Sequence, residues 1–296
     1  MYQGTIFSQV VVAKRITSMK VVLDNYLNIK RVFNERCKIH LELPKFSTSK
    51  KRRRTIHELF ACMEGPVKAC AFSADSKLFA TGSYDCTVRV WDTERAQCLR
   101  ILQGHTKSVE TVCFSSDSSL LASGSWDYTA VLWDPKSGQL VKSLTGHQNV
   151  IKACAISFDG EHLATGSWDC TVMVWNLQSM ERQFILHGHT GNVSCVAFSR
   201  IGMLASGSWD KTVRVWDSRN GLLIFLLTEH TGRVMALSFS LDAILLVTAA
   251  EDETVRVWDC EDGKCKKILQ GKLDIIFSCQ FSPSDTLLTA GTSDLD

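Results

Sequence analysis

Short apolar segments separated by polar turns recur along the chain from about residue 57 onward. One stretch shows the pattern well: VETVCFS (109–115), LLASGS (120–125), TAVLW (129–133) and QLVKSL (139–144) each alternate or run apolar over five to seven residues. Segments of this length, joined by turns such as SSDS, DY and PKSG, are typical of β-strands. This part of the chain has no convincing helical period. The pattern therefore predicts four short strands in every 42 residues or so.

The strand pattern belongs to a longer repeat. LASGSWD occurs at 121–127 and again at 204–210, and LATGSWD stands at 163–169. Successive copies of the later Trp-Asp pair, one of them softened to Trp-Asn, are 42, 42, 41 and 42 residues apart. These pairs begin at Trp91, Trp133, Trp175, Trp216 and Trp258. A single four-stranded meander has two open edges and cannot bury both faces, so the repeats are expected to pack side by side.

The motif GH…SGSWD…TVRVWD, repeated at this period over about 57–296, resembles the WD40 repeat family. The resemblance implies an all-β fold, a β-propeller in which each repeat supplies one four-stranded antiparallel blade. It also implies that a His, a strand Ser or Thr, a turn Asp and the strand Trp form a buried hydrogen-bonded tetrad. For the Ser/Thr, the residue two positions later remains an alternative. The implied tetrads are His105, Ser123, Asp127 and Trp133; His147, Thr165, Asp169 and Trp175; His189, Ser206, Asp210 and Trp216; and His230, Thr248, Asp252 and Trp258.

These polar sets are expected to be structural. A His near a Ser and an Asp could suggest a hydrolase triad, but the set recurs four times and ends on a Trp that no triad needs. The sequence also has no Gly-rich phosphate loop, no metal-ligand cluster and no isolated nucleophile with a base. We therefore expect no enzyme activity, no cofactor, no metal and no small-molecule substrate.

The first and last copies are incomplete. Cys62-Met63 stands where Gly-His is expected, and the sixth copy, which begins at Gly271, stops before its third and fourth strands. Five complete repeats and part of a sixth suggest a six- or seven-bladed parent, with residues 58–62 as a candidate closing strand. Either segments within 1–56 supply further strands, or the chain is a shortened or alternatively started form. The second interpretation is favoured, because 1–56 matches no repeat. The predicted domains are an extension with a basic linker (1–56) and a propeller with a truncated last blade (57–296).

Composition and charge narrow the class of protein. Of 296 residues, 45% are hydrophobic and 22% are charged, which is typical of a globular protein. The net charge is only +2, so the overall electrostatic potential of the protein does not favour binding to nucleic acid. No apolar run is long enough to span a membrane. The twelve cysteines form no CxxC pair, which indicates reduced thiols in an intracellular, cytoplasmic protein.

Two basic features leave alternatives open. The run Lys50–Arg54 has the composition of a nuclear import signal or of a nucleic-acid contact, but also of a solvated charge run, which is favoured. The segment 1–33 carries five basic residues against one acid. It could be a transit segment or an ordinary basic extension, and the second is favoured.

The residue between Ser and Asp of the repeated motif is the main functional clue. It is aromatic in four copies, although the turn itself requires no aromatic side chain: Tyr84, Trp126, Trp168 and Trp209. The family geometry implies that these residues line an arc around the mouth of the central channel. Large, rigid aromatic residues are common binding hot spots, so a peptide or protein partner is expected. The alternative is that each ring only packs against the neighbouring blade.

The same geometry places further residues on this face: Lys68, Glu110, Lys152, Met235, Arg233 and Phe277. The set is mildly basic, so an acidic or phosphorylated segment would suit it, unless it is merely a mixed solvated surface.

The sequence therefore predicts a non-catalytic scaffold or adaptor that binds protein partners of unknown identity. A second hypothesis rests on Trp216, Asp217 and Arg219, which form one WDxR match. The pattern resembles that of propellers which act as substrate receptors for cullin-type ubiquitin ligases.

Overall fold

The computed structural model describes residues 65–95, 97–270, 275–281 and 287–292. The extension 1–56, the basic run Lys50–Arg54, the candidate closing strand 58–62 and the pair Cys62-Met63 lie outside the described residues. Within the described part of the chain, no helix is long and apolar enough to cross a membrane.

The described chain is all β. It forms five four-stranded antiparallel sheets, here called blades 1 to 5, and a sixth, two-stranded sheet. In every complete blade the strands lie side by side in chain order. The strands are β1 (Val67–Phe72), β2 (Leu78–Ser83), β3 (Thr87–Asp92), β4 (Gln97–Gln103), β5 (Val109–Phe114), β6 (Leu121–Ser125), β7 (Ala130–Trp133), β8 (Leu140–Leu144), β9 (Ile151–Ile156), β10 (His162–Ser167), β11 (Val172–Asn176), β12 (Glu181–Leu186), β13 (Val193–Phe198), β14 (Met203–Ser208), β15 (Val213–Asp217), β16 (Leu223–Leu227), β17 (Val234–Phe239), β18 (Leu245–Ala250), β19 (Thr254–Asp259), β20 (Cys265–Gln270), β21 (Ile275–Phe281) and β22 (Leu287–Thr292).

Consecutive blades pack face to face through their first strands. β1 contacts β5, β5 contacts β9, β9 contacts β13, β13 contacts β17 and β17 contacts β21. The interface between blades 1 and 2 is a buried apolar layer that includes Val88, Leu102, Val112 and Trp133. This repeated sheet-on-sheet packing confirms the all-β, propeller-like fold expected from the sequence.

The glycine of each SGS or TGS motif permits this close packing. A Cβ added at Gly124 would lie 2.5 Å from Ile151 Cγ2 of the next blade, and one added at Gly82 would lie 2.7 Å from Val109 Cγ1. Real Cβ atoms do not approach so closely, so the second strands of blades 1 to 4 need glycine opposite the β-branched residue of the next blade. This requirement explains the recurrence of the motif in these four blades, whereas blade 5 carries Ala249 at the same position.

Four blades contain the same buried hydrogen-bonded chain. In blade 2, Trp133 Nε1 donates to Ser123 Oγ (2.8 Å), His105 Nε2 lies 2.8 Å from the same oxygen, and His105 Nδ1 lies 2.9 Å from Asp127 Oδ2. The corresponding chains join His147, Thr165, Asp169 and Trp175; His189, Ser206, Asp210 and Trp216; and His230, Thr248, Asp252 and Trp258. Each chain connects the segment before a blade with the two middle strands and the turn between them.

The two candidate hydroxyls of the motif have different partners. Ser123 accepts the indole proton, whereas Ser125, two residues later, donates to Lys107 O and accepts from the backbone N–H of Asp127. The first position therefore belongs to the tetrad, and the second fixes the turn.

In blade 1 an arginine, and not a histidine, binds the carboxylate of the turn aspartate. Trp91 Nε1 donates to Thr81 Oγ1 (3.0 Å), as in the other blades. The carboxylate of Asp85 is bound by Arg89, whose Nη2 lies 3.3 Å from Asp85 Oδ2, with both side chains buried. The strand position of Arg89 carries Val131 in blade 2 and Met173 in blade 3, and it is also arginine in blades 4 and 5, where a histidine binds the turn aspartate. An arginine from within the blade thus supplies charge and donors to this aspartate.

Two histidines of one short segment test the role of the tetrad. His189 is buried in the blade 4 tetrad, whereas His187, two residues earlier, is exposed. We expect His189→Ala to lower the free energy of unfolding by about 3 kcal/mol, because Asp210 and Ser206 each lose the hydrogen bond to the buried imidazole and a cavity opens. His187→Ala should change it by less than about 0.5 kcal/mol. Urea denaturation of both variants measures the difference, and equal effects would contradict a structural role.

The tetrads also predict sensitivity to acid. Burial acts to raise the pKa of Asp252, but hydrogen bonds from Thr254 and His230 outweigh it and lower the pKa to about 2. The pKa of Asp127, Asp169 and Asp210 is likewise lowered, against the effect of burial, by hydrogen bonds from their His and Thr partners. The unfolded chain therefore binds more protons than the folded one below the ordinary carboxyl pKa of about 3.9.

We accordingly expect the contribution of these carboxylates to stability to be constant above about pH 5 and to be lost as the pH drops through 4 toward about 2. Denaturation curves at several pH values measure this loss. Asp252→Asn, which cannot titrate, should lose less stability than the wild type over the same pH range. A variant slope as steep as that of the wild type would show that other groups are responsible.

Candidate functional site

The turns between the second and third strands form one end of the blades, here called the upper face. In every complete blade, the residue before the turn aspartate donates its backbone N–H to the residue that precedes the first strand. Trp126 N bonds Ser108 O, and Trp168 N bonds Val150 O, both at 2.9 Å. The same bond joins Tyr84 to Pro66, Trp209 to Asn192 and Glu251 to Arg233. The rim residues are therefore held by backbone bonds that do not depend on their side chains.

The residue after each turn aspartate adopts a left-handed conformation without being glycine. Tyr128 has a φ of +70°, and Cys86, Cys170, Lys211 and Glu253 are similar. This conformation turns the chain sharply, and the following threonine then donates its hydroxyl to the aspartate, as Thr129 does to Asp127. The turn is thus specified by the Asp-Xaa-Thr sequence.

Three tryptophans of consecutive blades form a continuous stack on the upper face. The ring centroids of Trp126 and Trp168 lie 5.2 Å apart with an interplanar angle of 70°, and those of Trp168 and Trp209 lie 5.6 Å apart at 48°. These are favourable edge-to-face and tilted geometries. The rings of Trp168 and Trp209 are partly covered, whereas Trp126 is 38% and Tyr84 62% exposed. The structure therefore combines packing of the rings with exposed aromatic surface at one end of the arc.

A buried ion pair supports the exposed end of the stack. Trp126 Nε1 donates to Glu110 Oε1 (2.8 Å), and Lys152 Nζ lies 2.6 Å from Glu110 Oε2. Ser108 Oγ also donates to Glu110. Burial acts to raise the pKa of Glu110, but the Lys152 charge and hydrogen bond, together with that of Trp126, lower it below its ordinary value. The charged carboxylate thus holds the Trp126 ring in one orientation.

A second charged group covers the other end of the stack. The guanidinium of Arg233 lies 4.4 Å from the centroid of the Trp209 ring, and Arg233 Nε lies 3.7 Å from Glu251 Oε2. Arg233 is therefore engaged by its own chain through a cation–π contact and an ion pair.

These pairs change the expected electrostatics of the upper face. Lys152 is buried against Glu110, and Arg233 stands beside Glu251, so neither offers an unpaired positive charge. Lys68 and Met235 are partly exposed, and Phe277 lies in β21, where its side chain is outside the described residues. These pairs reduce the mildly basic character expected from the sequence, because Glu110 of the neighbouring blade neutralises Lys152 and Glu251 of the same blade neutralises Arg233. The signal was present in the sequence: Glu110 and Lys152 occupy equivalent first-strand positions in successive repeats.

One group of potential metal ligands lies on the opposite face. Carboxylate and imidazole atoms of Asp159, Glu161 and His162 come within 4.8 Å of one another. Asp159 already accepts bonds from Ser157 Oγ (2.5 Å) and from the Glu161 backbone. The same Ser–Asp bond recurs at Asp75, Asp117 and Asp242. The cluster is therefore explained by a repeated turn and provides no evidence for a metal site.

The WDxR residues lie at the end of β15. Trp216 belongs to the blade 4 tetrad, and Asp217 accepts from the backbone N–H of Arg219 and from Asn220 Nδ2. Asp92, Asp134 and Asp259 hold the equivalent turns of other blades in the same way. Arg219 is exposed, but Trp216 and Asp217 have structural partners that account for them.

Comparison with known families agrees with this geometry. The WD domain, G-beta repeat family matches residues 53–92, 96–134, 138–176, 180–217, 221–259 and 263–295. The first five matches each end within the Trp-Asp or Trp-Asn pair of one blade, and together the six cover most of the chain. The chain therefore belongs to the WD40 repeat family.

Proposed function

We propose that the protein is a non-catalytic scaffold or adaptor that presents the aromatic rim of its upper face to a peptide or protein partner. WD40 domains generally serve as protein-interaction scaffolds and are generally not catalytic. The partner binds at the exposed end of the rim, at Tyr84 and Trp126.

The orientation of Trp126 is the observation that best supports this proposal. A ring that is 38% exposed is nevertheless fixed on both sides, by the hydrogen bond to Glu110 and by the edge contact with Trp168. An exposed aromatic side chain that is already ordered loses little entropy when a partner binds. Tyr84 occupies the equivalent position of the preceding blade and is 62% exposed, which extends the apolar surface.

The chemistry of the rim favours an apolar or aromatic group of the partner. The charges nearest to the tryptophans, on Glu110, Lys152 and Arg233, are paired within the protein. Desolvating such pairs gains little, whereas covering Tyr84 and Trp126 removes apolar surface from water. We therefore propose a hydrophobic side chain of an extended segment as the group that contacts the rim.

Affinity purification with mass spectrometry tests the rim. We expect Trp126→Ala/Trp168→Ala/Trp209→Ala to lose most partners at least about 10-fold relative to the wild type. The matched control is Phe158→Ala/Ile201→Ala/Ile244→Ala, which removes three exposed hydrophobic side chains from turns on the opposite face. This control should keep the same partners.

Folding must be separated from binding in this experiment. Circular dichroism and urea denaturation establish whether each variant is folded. Tyr84→Ala, at a highly exposed position, should reduce partner recovery without changing stability. Unchanged recovery with both the triple variant and Tyr84→Ala would show that the rim is packing and not a binding surface.

The ubiquitin-ligase adaptor is the alternative function. Its structural basis is the exposed side chain of Arg219, and it has less support because the turn itself accounts for Asp217. We expect Arg219→Ala to leave any recovery of a cullin-type adaptor unchanged in a pull-down, with Arg200→Ala as the control. Loss of the adaptor with Arg219→Ala alone would instead support the receptor function.

Within the family, GPVKACAFS (65–73) and SVETVCFSSDS (108–118) resemble the repeats of WD repeat-containing protein 38. We propose this relationship as the basis for choosing tissues and extracts in the purification.

A further inference from the structure

The outer strand of blade 4 has a surface unlike that of the other outer strands. From Asn220 to Thr228 the chain carries no charged residue, and LLIFLL fills its centre. Leu222 is 65% exposed, and Ile224 and Leu226 are 42% and 46% exposed. Leu223 is also 42% exposed, so four large apolar side chains lie in solvent within this strand and directly before it.

The other complete blades carry charges at this place. Their outer strands contain Arg100 in β4, Lys142 in β8, Glu181 and Arg182 in β12, and Lys266 and Lys267 in β20. Charged side chains on an edge strand discourage pairing with another strand, because they would have to be desolvated or would face like charges. Among the complete blades, β16 alone lacks this protection.

The geometry of β16 leaves one edge available. It is the last strand in the order β13-β14-β15-β16, and within the described part of the chain it pairs only with β15. Alternate backbone N–H and C=O groups of such a strand point away from its partner and can accept a further strand.

From Ile224 to Leu227 the side chains of β16 alternate between the exposed surface and internal packing, whereas Leu223 at the start of the strand is exposed. Leu227 is buried, and the ring of Phe225 lies so close to Gly263 of blade 5 that an added Cβ would come within 2.6 Å of it. Ile224 and Leu226 point to the other face and remain exposed. The nearest cation on this face, Arg214 of β15, donates to Gly188 O and does not lie on the edge.

We propose that β16 pairs antiparallel with β16 of a second copy of this chain, so that two blades form one continuous eight-stranded sheet across a two-fold axis. The edge is self-complementary, because an uncharged strand meets no like charge when it pairs with itself. Under the same operation, β4, β8 and β20 would bring like charges near the axis, and β12 would have to desolvate Glu181 and Arg182. A two-fold dimer places Ile224 and Leu226 of one copy near those of the other, where both are removed from water.

The association of the full-length chain tests this proposal. We expect sedimentation velocity between about 1 and about 100 µM to show a monomer–dimer equilibrium. Ile224→Lys should weaken the dimer about 100-fold, because each dimer then contains two unpaired charges at the sheet junction. Ile268→Lys is the matched control: the same substitution, at a residue 53% exposed on outer strand β20, should leave the equilibrium unchanged.

A charge-pairing experiment distinguishes a specific two-fold dimer from nonspecific hydrophobic association. Ile224→Lys and Ile224→Glu should each be monomeric alone and should form a mixed dimer when combined, because the two-fold axis brings the substituted residues together. In the wild type, the amides of β16 should exchange with deuterium more slowly at high than at low protein concentration.

Several results would overturn the proposal. A wild type that stays monomeric to about 100 µM would do so, as would equal weakening by Ile268→Lys. Protection in the monomer of the outward-pointing amides of β16, which are not bonded to β15, would show that another part of the same chain covers the edge, which also excludes the dimer. None of these measurements depends on the aromatic rim, so they are independent of the proposed function.

Discussion

The turn carboxylate of each blade is the group on which the remaining structure depends. Asp127 accepts bonds from His105, from the backbone N–H groups of Thr106 and Thr129, and from the Thr129 hydroxyl. A partly buried carboxylate is costly without such donors, so folding of the turn requires the preceding segment and the third strand to be in place. The same turn fixes the backbone of the adjacent rim residue. The stability of the blade and the orientation of Trp126 therefore have a common cause.

In every complete blade the turn carboxylate is bound by hydrogen-bond donors, but the residue that supplies them differs among the blades. Arg89 binds Asp85 in blade 1, whereas blades 2 to 5 use a histidine. In blade 5, Glu229 replaces the glycine before His230, and Arg256 forms an ion pair with it. An acidic residue added beside a buried tetrad is thus compensated by a basic residue on the third strand. The first of these pairs joins residues four positions apart, whereas Arg256 and Glu229 are 27 positions apart.

Charges near the candidate interaction surfaces are mostly paired within the protein. The groups left for a partner to contact are therefore mainly exposed apolar side chains. On the rim, Glu110 with Lys152 and Arg233 with Glu251 form internal pairs, while Tyr84 and Trp126 stay exposed. On blade 4, the uncharged strand β16 exposes Ile224 and Leu226. Burial of apolar surface is therefore expected to dominate recognition at both places, with little dependence on ionic strength. The small net charge of +2 agrees with this expectation.

The sequence by itself determined the strands, the repeat and the blade architecture, because alternation of apolar residues and the Asp-Xaa-Thr turns are local features that each copy repeats. The resemblance to the WD40 family implied the members of the tetrads, and the structure selected one of the two candidate Ser or Thr positions. Only the tertiary structure revealed the side-chain contacts between neighbouring repeats. Only the packing of adjacent blades shows that Lys152 neutralises Glu110 and that Arg233 covers Trp209. The same packing partly covers the rings of Trp168 and Trp209 and leaves Tyr84 and Trp126 exposed. Such contacts join residues about 24 to 42 positions apart, and no local pattern specifies them.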